Sequence, residues 1–144
     1  MLQWSEQFET GHSLVDSQHR MLISYVNRLE VLAQNTDASR GEVELFLHFI
    51  EFLETYILTH FRSEEACMHH FQCPVREENQ TAHQSFLEYF REFKQRLEAE
   101  GYRPEAVQEL HNSCSRWIQQ HILRIDVQLK PCLRRAPAEA EELD

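Results

Sequence analysis

The chain has 144 residues, of which 42% are hydrophobic and 26% charged, a composition typical of one folded domain and not of a disordered segment. Its net charge of −10 disfavours nucleic acid as a partner, because an acidic surface repels phosphate backbones. No secretory signal opens the sequence and no window reaches the roughly 20 apolar residues of a membrane helix, so we expect a cytoplasmic protein without stable membrane insertion.

Glycine and proline are scarce, with three and four copies, which predicts an all-α fold because a β protein needs many turns. Residues 1–16 form an N-terminal arm anchored by Trp4 and Phe8. Apolar residues then recur at helical spacing in four segments, which we place at residues 17–35, 41–69, 74–101 and 104–131. Short connections between four helices predict an up-down-up-down antiparallel bundle over residues 1–135. We expect the acidic tail, 136–144, to be disordered.

The second helix has the clearest apolar stripe of the four. One face carries an apolar stripe, and the stripe ends in a carboxylate: Val43, Phe46, Leu47, Ile50, Leu53, Ile57, Phe61 and Glu64. In the third helix, Pro74 suits the first turn and Gly101 suits a C-terminal cap. In the fourth, Pro131 is expected to end or kink the helix.

Histidines and carboxylates gather at one end of this predicted bundle. The starts of the first and third helices lie beside the ends of the second and fourth, and six candidate ligands fall there: His19, His60, Glu64, His83, His121 and Asp126. His60 and Glu64 are four residues apart and share a helical face, whereas His121 and Asp126 are about 140° apart around an ideal helix. Imidazoles with two bridging carboxylates suit a pair of metals, and iron is the favoured metal in bundle cores.

The remaining histidines and the cysteines are given structural roles. We expect surface or capping positions for five histidines that lie off the converging set: His12, His48, His69, His70 and His111. The four cysteines are expected to be reduced thiols. A zinc site at Cys67 and Cys73 with His69 or His70 is disfavoured, because the spacing matches no common zinc finger.

Several short motifs, in order along nearly the whole chain, resemble the bacterial hemerythrins. The arm and first helix carry Trp4, Phe8, Thr10-Gly11 and Val15-Asp16-Ser17-Gln18-His19. The second helix carries His60-Phe61-Arg62-Ser63-Glu64-Glu65, followed by Met68 and Pro74, and the fourth carries Trp117-Ile118-Gln119-Gln120-His121-Ile122 with Asp126. Each motif alone is weakly specific, but their order and spacing together are highly specific.

The resemblance implies two irons bridged by Glu64, Asp126 and an oxo or hydroxo group. One iron takes His19 and His60 and keeps an open position for oxygen. The other normally takes three histidines, and only His83 and His121 match.

The third position of that set is Asn79, a weak and neutral oxygen ligand. Asn79 or a water could complete the site, the second iron could be held loosely, or the position could stay open to exogenous ligands. We favour a two-metal site with weakened affinity on this side.

The resemblance favours an oxygen-binding protein, not an enzyme, that stores oxygen or delivers it to oxygen-using enzymes through transient contacts, as a monomer. A di-iron oxidase or peroxidase, made possible by Asn79, is the alternative from another class. An oxygen or redox sensor is the least favoured, because a sensor usually carries an output domain and this chain has none. Trp117, Phe61, Ile57, Ile122 and Ile125 are expected to line an apolar pocket that shields bound oxygen.

Overall fold

The structure is a computed structural model that describes residues 1–34 and 40–135. Within these residues the chain forms five α-helices and no strand: α1 (Ser13–Gln34), α2 (Arg40–His70), α3 (Arg76–Glu100), α4 (Pro104–Arg124) and α5 (Leu129–Arg135). Short 3-10 turns lie at Glu6–Phe8 and Asp126–Gln128. The predicted loop after the first helix and the predicted disorder of the tail concern residues 35–39 and 136–144, which lie outside the described part.

The four long helices pack in the cyclic order expected of an up-down-up-down bundle. Each packs against the next in the chain, and α4 closes the ring against α1. Apolar side chains from all four fill one continuous core, and Phe8 of the arm joins it. The predicted all-α four-helix fold is therefore confirmed. In the described ranges, no helix combines the length and apolar character required to cross a membrane.

A second, smaller core closes one end of the bundle. It joins the start of α1, the end of α2 and the short helix α5: Val15, Cys67, Met68, Phe71, Cys73, Ile125, Leu129, Cys132 and Leu133. Asp16 fastens the arm here, because its Oδ1 accepts hydrogen bonds from the Thr10 amide and hydroxyl, both at 2.8 Å. This end is the one to which the predicted ligands were assigned.

Two predicted helix starts were wrong. Helix α1 begins at Ser13 and not at residue 17, because Nδ1 of His12 accepts a hydrogen bond from the Val15 amide at 3.3 Å and caps the helix. Helix α3 begins at Arg76, so Pro74 lies in the turn closed by the Arg76 amide and the Cys73 carbonyl at 3.2 Å. Just before this turn, α2 ends in a Schellman motif, in which the Gln72 and Cys73 amides donate to the His69 and Met68 carbonyls.

The predicted course of the fourth helix was also wrong. Helix α4 ends at Arg124, and the chain passes through the 3-10 turn before α5 begins. Pro131 lies in the first turn of α5, where a missing N–H breaks no helical hydrogen bond. Gly101 caps α3 as predicted, with φ +82° and its amide donating to the Leu97 carbonyl. On the second helix, Leu47 is 42% exposed and does not belong to the buried stripe.

Candidate metal centre

All six predicted ligands come together at one end of the bundle, five of them from the helix that the sequence assigned and Asp126 from the turn that follows α4. His19 lies in the second turn of α1, His60 and Glu64 near the end of α2, and His83 in the second turn of α3. His121 lies in the last turn of α4, and Asp126 opens the 3-10 turn. Each of the six is at most 6% exposed. Because α4 ends before Asp126, the 140° offset expected for an unbroken helix does not arise.

Glu64 divides its two carboxylate oxygens between two groups of imidazoles. Its Oε2 lies 2.9 Å from Nε2 of His19 and 3.3 Å from Nε2 of His60. Its Oε1 lies 3.3 Å from Nε2 of His83 and 3.9 Å from Nε2 of His121. Glu64 is thus placed between two imidazole pairs, with one oxygen turned toward each pair.

Asp126 repeats the same division from the opposite side. Its Oδ2 lies 3.1 Å from Nε2 of His19, and its Oδ1 lies 3.0 Å from Nε2 of His121. Two carboxylates that each face both imidazole pairs form the donor pattern of a carboxylate-bridged metal pair.

Two details of the geometry fit a site built around cations and not a closed hydrogen-bond network. Oδ1 of Asp126 is close to His121, yet it makes no aligned hydrogen bond to any described residue. The Nε2 atoms of His83 and His121 face each other at 3.2 Å. Buried polar atoms are normally hydrogen-bonded, so an Asp126 oxygen without a hydrogen bond, beside two imidazole nitrogens that face each other, fits a shared ligand between them.

The pKa values in the cluster indicate that its two buried carboxylates require positive charge beside them. Burial alone would lower the pKa of His19, but hydrogen bonds with Asp126 and Glu64 raise it to about 10. Burial would lower the pKa of His121 as well, but the nearby carboxylates of Asp126 and Glu64 raise it to about 9. Burial opposes ionisation of Glu64, yet the surrounding imidazoles hold its pKa well below the usual value, whereas burial lowers the pKa of His60. Without metal, protons on two imidazoles compensate the carboxylates, and a metal pair would take over that role.

Two supporting residues were not predicted to have a role. Nδ1 of His60 lies 2.8 Å from Oε1 of Gln18, and Nδ1 of His83 lies 2.9 Å from Oε2 of Glu65. An N–H donated at Nδ1 leaves the lone pair of Nε2 directed at the cluster, which is how supporting residues orient metal-binding imidazoles. The sequence placed Gln18 and Glu65 beside the candidate ligands His19 and Glu64 and within the motifs that resemble the family, but it assigned neither of them a role.

Aromatic rings cover the two imidazoles on the α3–α4 side. Phe61 stacks on His83 with ring centres 3.7 Å apart and planes 4° apart. Trp117 stacks on His121 at 4.2 Å and 11°. Of the residues expected to line an apolar pocket, Ile57, Phe61 and Trp117 border a small apolar cavity of about 10 Å³. Ile122 packs in the bundle core and Ile125 in the smaller core.

Asn79 lies in the same shell, one turn before His83, and is fully buried. Its Nδ2 donates to Oε1 of Glu64 at 2.8 Å and approaches the Met68 sulfur at 3.3 Å. Its Oδ1 makes no hydrogen bond to any described residue.

The other histidines and the cysteines lie outside the cluster. His48, His69 and His70 are exposed and His111 is half-buried, but His12 is buried and caps α1. His12 therefore does not lie at the surface, and only the capping half of the prediction holds for it. All four cysteines are buried and none forms a disulfide with another described residue, and no metal-like cluster of described residues includes a cysteine.

Comparison with known proteins agrees with this geometry. The hemerythrin HHE cation binding domain family matches residues 10–133. Three relatives are each named bacteriohemerythrin. That of Pseudomonas aeruginosa is 27% identical over 96% of this chain and 85% of its own length. That of Stenotrophomonas maltophilia is 28% identical over 85% and 74%, and that of Clostridium acetobutylicum is 25% identical over 88% and 96%. The chain belongs to the hemerythrin family.

Proposed function

We propose that the protein binds molecular oxygen reversibly at a non-haem di-iron centre and stores or delivers it. The observation that carries the proposal is the division of Glu64 and Asp126 between two imidazole pairs, His19 with His60 and His83 with His121. Imidazole and carboxylate donors suit iron, and family membership supports an oxygen-binding type of centre. The same six residues are the ligands that we propose.

Two bound irons would supply the reversible redox chemistry on which oxygen binding depends. The protein's own contribution is to orient the donors and to keep water away. Gln18 and Glu65 hold His60 and His83 with Nε2 directed inward. Phe61 and Trp117 cover the imidazoles of the α3–α4 side, and a shielded site favours release of oxygen as oxygen over release of a reactive species.

Optical spectroscopy of iron-loaded protein tests this proposal. Anaerobic reduced protein should gain charge-transfer bands when oxygen is added and lose them when oxygen is removed under argon, over repeated cycles. His60→Ala should abolish the bands. His48→Ala provides a matched control, because His48 is an exposed histidine of the same helix. Bands that never form, or that decay without recovery on removal of oxygen, would contradict a reversible carrier.

A di-iron oxidase or peroxidase is the second candidate, and the observation that favours it is Asn79. An amide in place of an imidazole leaves one metal with fewer strong donors, and open positions on non-haem iron permit oxidase chemistry. Steady consumption of a reductant together with oxygen or hydrogen peroxide, at a rate that scales with iron content, would establish this enzyme and displace the carrier.

The remaining parts of the proposal concern setting and partners. We propose that the protein acts as a monomer in the cytoplasm and meets oxygen-using enzymes only transiently. Four cysteines that form no disulfide among the described residues support a reducing compartment. Sedimentation of the iron-loaded protein over a range of concentrations tests the monomer, and a mass that rises with concentration would contradict it.

A further inference from the structure

Asn79 presents the non-coordinating end of its amide to the metal cluster. Its NH₂ group faces Oε1 of Glu64 at 2.8 Å, and an amide NH₂ is a hydrogen-bond donor that has no free lone pair for a metal. The reverse orientation would set two acceptor oxygens against each other. A carboxylate oxygen has two lone-pair sites, so Glu64 can accept from Asn79 and still bind a cation. In this orientation Asn79 positions Glu64 through its NH₂ group and offers the cluster no imidazole, while its Oδ1 makes no hydrogen bond to any described residue.

The two sides of the cluster consequently offer equal sets of protein donors. Each side has two imidazoles, one oxygen of Glu64 and one oxygen of Asp126. Non-haem iron with two imidazoles and carboxylate oxygens retains room for exogenous ligands. By this donor count, the side formed by His83 and His121 is as open as the side formed by His19 and His60.

The His83–His121 side also lies next to a surface groove. The groove, of about 450 Å³, runs between α3 and α4 and is bordered by Ala82, Trp117, His121 and Arg124. The cluster meets the groove through His121, which is 6% exposed, whereas His83, like His19, is 1% exposed. Arg124 and Glu78 both line the groove and give it exposed charges of opposite sign.

We propose that the centre binds a second small anion, on the His83–His121 side, which enters by the α3–α4 groove. This inference rests on the proposed di-iron centre and specifies a second ligand position within it. A nearly closed position beside this groove suits a small monodentate anion.

Azide titration of oxidised, iron-loaded protein tests the inference, with binding followed by charge-transfer absorbance and by calorimetry. The expected stoichiometry is two azides per pair of irons. Asn79→His places an imidazole one turn before His83, on the same helical face, and should reduce the stoichiometry to one. Iron content is measured in every sample, and metal-free protein provides the calorimetric blank.

Two further variants separate the Asn79 position from the charge at the groove. Asn79→Ala removes the hydrogen bond to Glu64 but leaves the position open, so two azides should still bind. Arg124→Gln should weaken the second azide about threefold at low salt and much less at high salt. Arg116→Gln, an exposed arginine about two turns earlier on α4 and outside the groove, should leave both affinities unchanged.

Three results would overturn the inference: one azide in the wild type, fewer than two irons in the wild type, or two azides in Asn79→His with full iron content. The oxygen experiment distinguishes this failure from failure of the proposed function. Reversible oxygen bands with a single azide would leave the carrier intact and remove the second ligand position. Two azides without reversible oxygen bands would support the second ligand position and contradict the carrier function.

Discussion

The two halves of the bundle are built from the same four helices but bury opposite kinds of side chain. At the far end, the fully buried side chains are apolar and contributed by every helix, as in Leu29, Ile50, Phe93 and Leu110. At the metal end lie all the buried polar side chains of the described residues, including four imidazoles and two carboxylates of the cluster. The far end gains stability from burial itself, whereas the metal end must compensate buried charge. The comparison shows that the apolar half supplies stability to the bundle, while the polar half presents buried donors to cations.

The largest expected effect comes from removing the charge shared by the two sides of the cluster. Glu64→Gln keeps the size of the side chain but cannot bridge two cations as an anion, so we expect at least one iron to be lost. Metal at 100 to 1,000 times its dissociation constant stabilises a protein by about 3–4 kcal/mol per site, and this gain should largely disappear. Iron analysis and thermal unfolding with and without chelator measure it.

The control for this change is Glu51→Gln, an exposed carboxylate of the same helix. It should retain full iron content and the full stabilisation by metal. An unchanged iron content in Glu64→Gln would refute the bridging role.

A core truncation in the far half should have the converse effect. Phe93→Ala removes a fully buried ring and should cost about 3–5 kcal/mol of unfolding free energy, measured in urea. Iron content per folded chain should stay unchanged, because the change lies away from the cluster. Val31→Ala, at a position 54% exposed, should cost no more than about 0.5 kcal/mol. If Phe93→Ala also depleted iron, the two halves would not be separable.

A smaller effect is expected from the residues that orient the imidazoles. Gln18→Leu removes the acceptor for Nδ1 of His60 and should weaken metal affinity by about 10–100-fold, as supporting residues typically do. Competition with a chelator measures the affinity. Gln84→Leu is the matched control, because Gln84 is also adjacent to a candidate ligand but is exposed. Equal affinities in the two variants would mean that Gln18 does not orient His60.

The smallest effect concerns the pH dependence of the metal-free protein. The folded pKa values of His19 and His121, about 10 and about 9, lie above the ordinary value of 6.5. Their stabilising contribution is therefore complete below pH 6.5 and is lost as pH rises through about 9 to 10. Urea unfolding of metal-free protein should show this decline. Iron-loaded protein should not, because its imidazoles are neutral ligands, and a decline of equal size in both forms would contradict the assignment.

Helical periodicity and polar placement were enough to predict the bundle and to bring the six candidate ligands to one end of it. His60 and Glu64 are one turn apart on a long helix, so their common direction followed from helix geometry alone. The positions of His83 and His121 beside the other candidates followed equally well, because each belongs to a regular helix with a clear apolar face.

Local features without a sequence rule were not predictable. His12 caps α1 through its ring, a role more often filled by serine, threonine, aspartate or asparagine. Helix α4 ends at Arg124 without glycine or proline, so the sequence pointed instead to Pro131. The supporting roles of Gln18 and Glu65 depend on contacts between helices, which the pattern along one helix does not contain.

X-ray absorption spectroscopy at the iron edge tests the central claim, a metal pair bridged by Glu64 and Asp126, most directly. Iron-loaded wild type should show nitrogen and oxygen neighbours and an iron–iron distance of about 3.5–4 Å or shorter. Glu64→Gln at the same iron concentration should lose the iron–iron contribution. A wild-type spectrum that contains iron neighbours of nitrogen and oxygen but no second iron would contradict the paired centre.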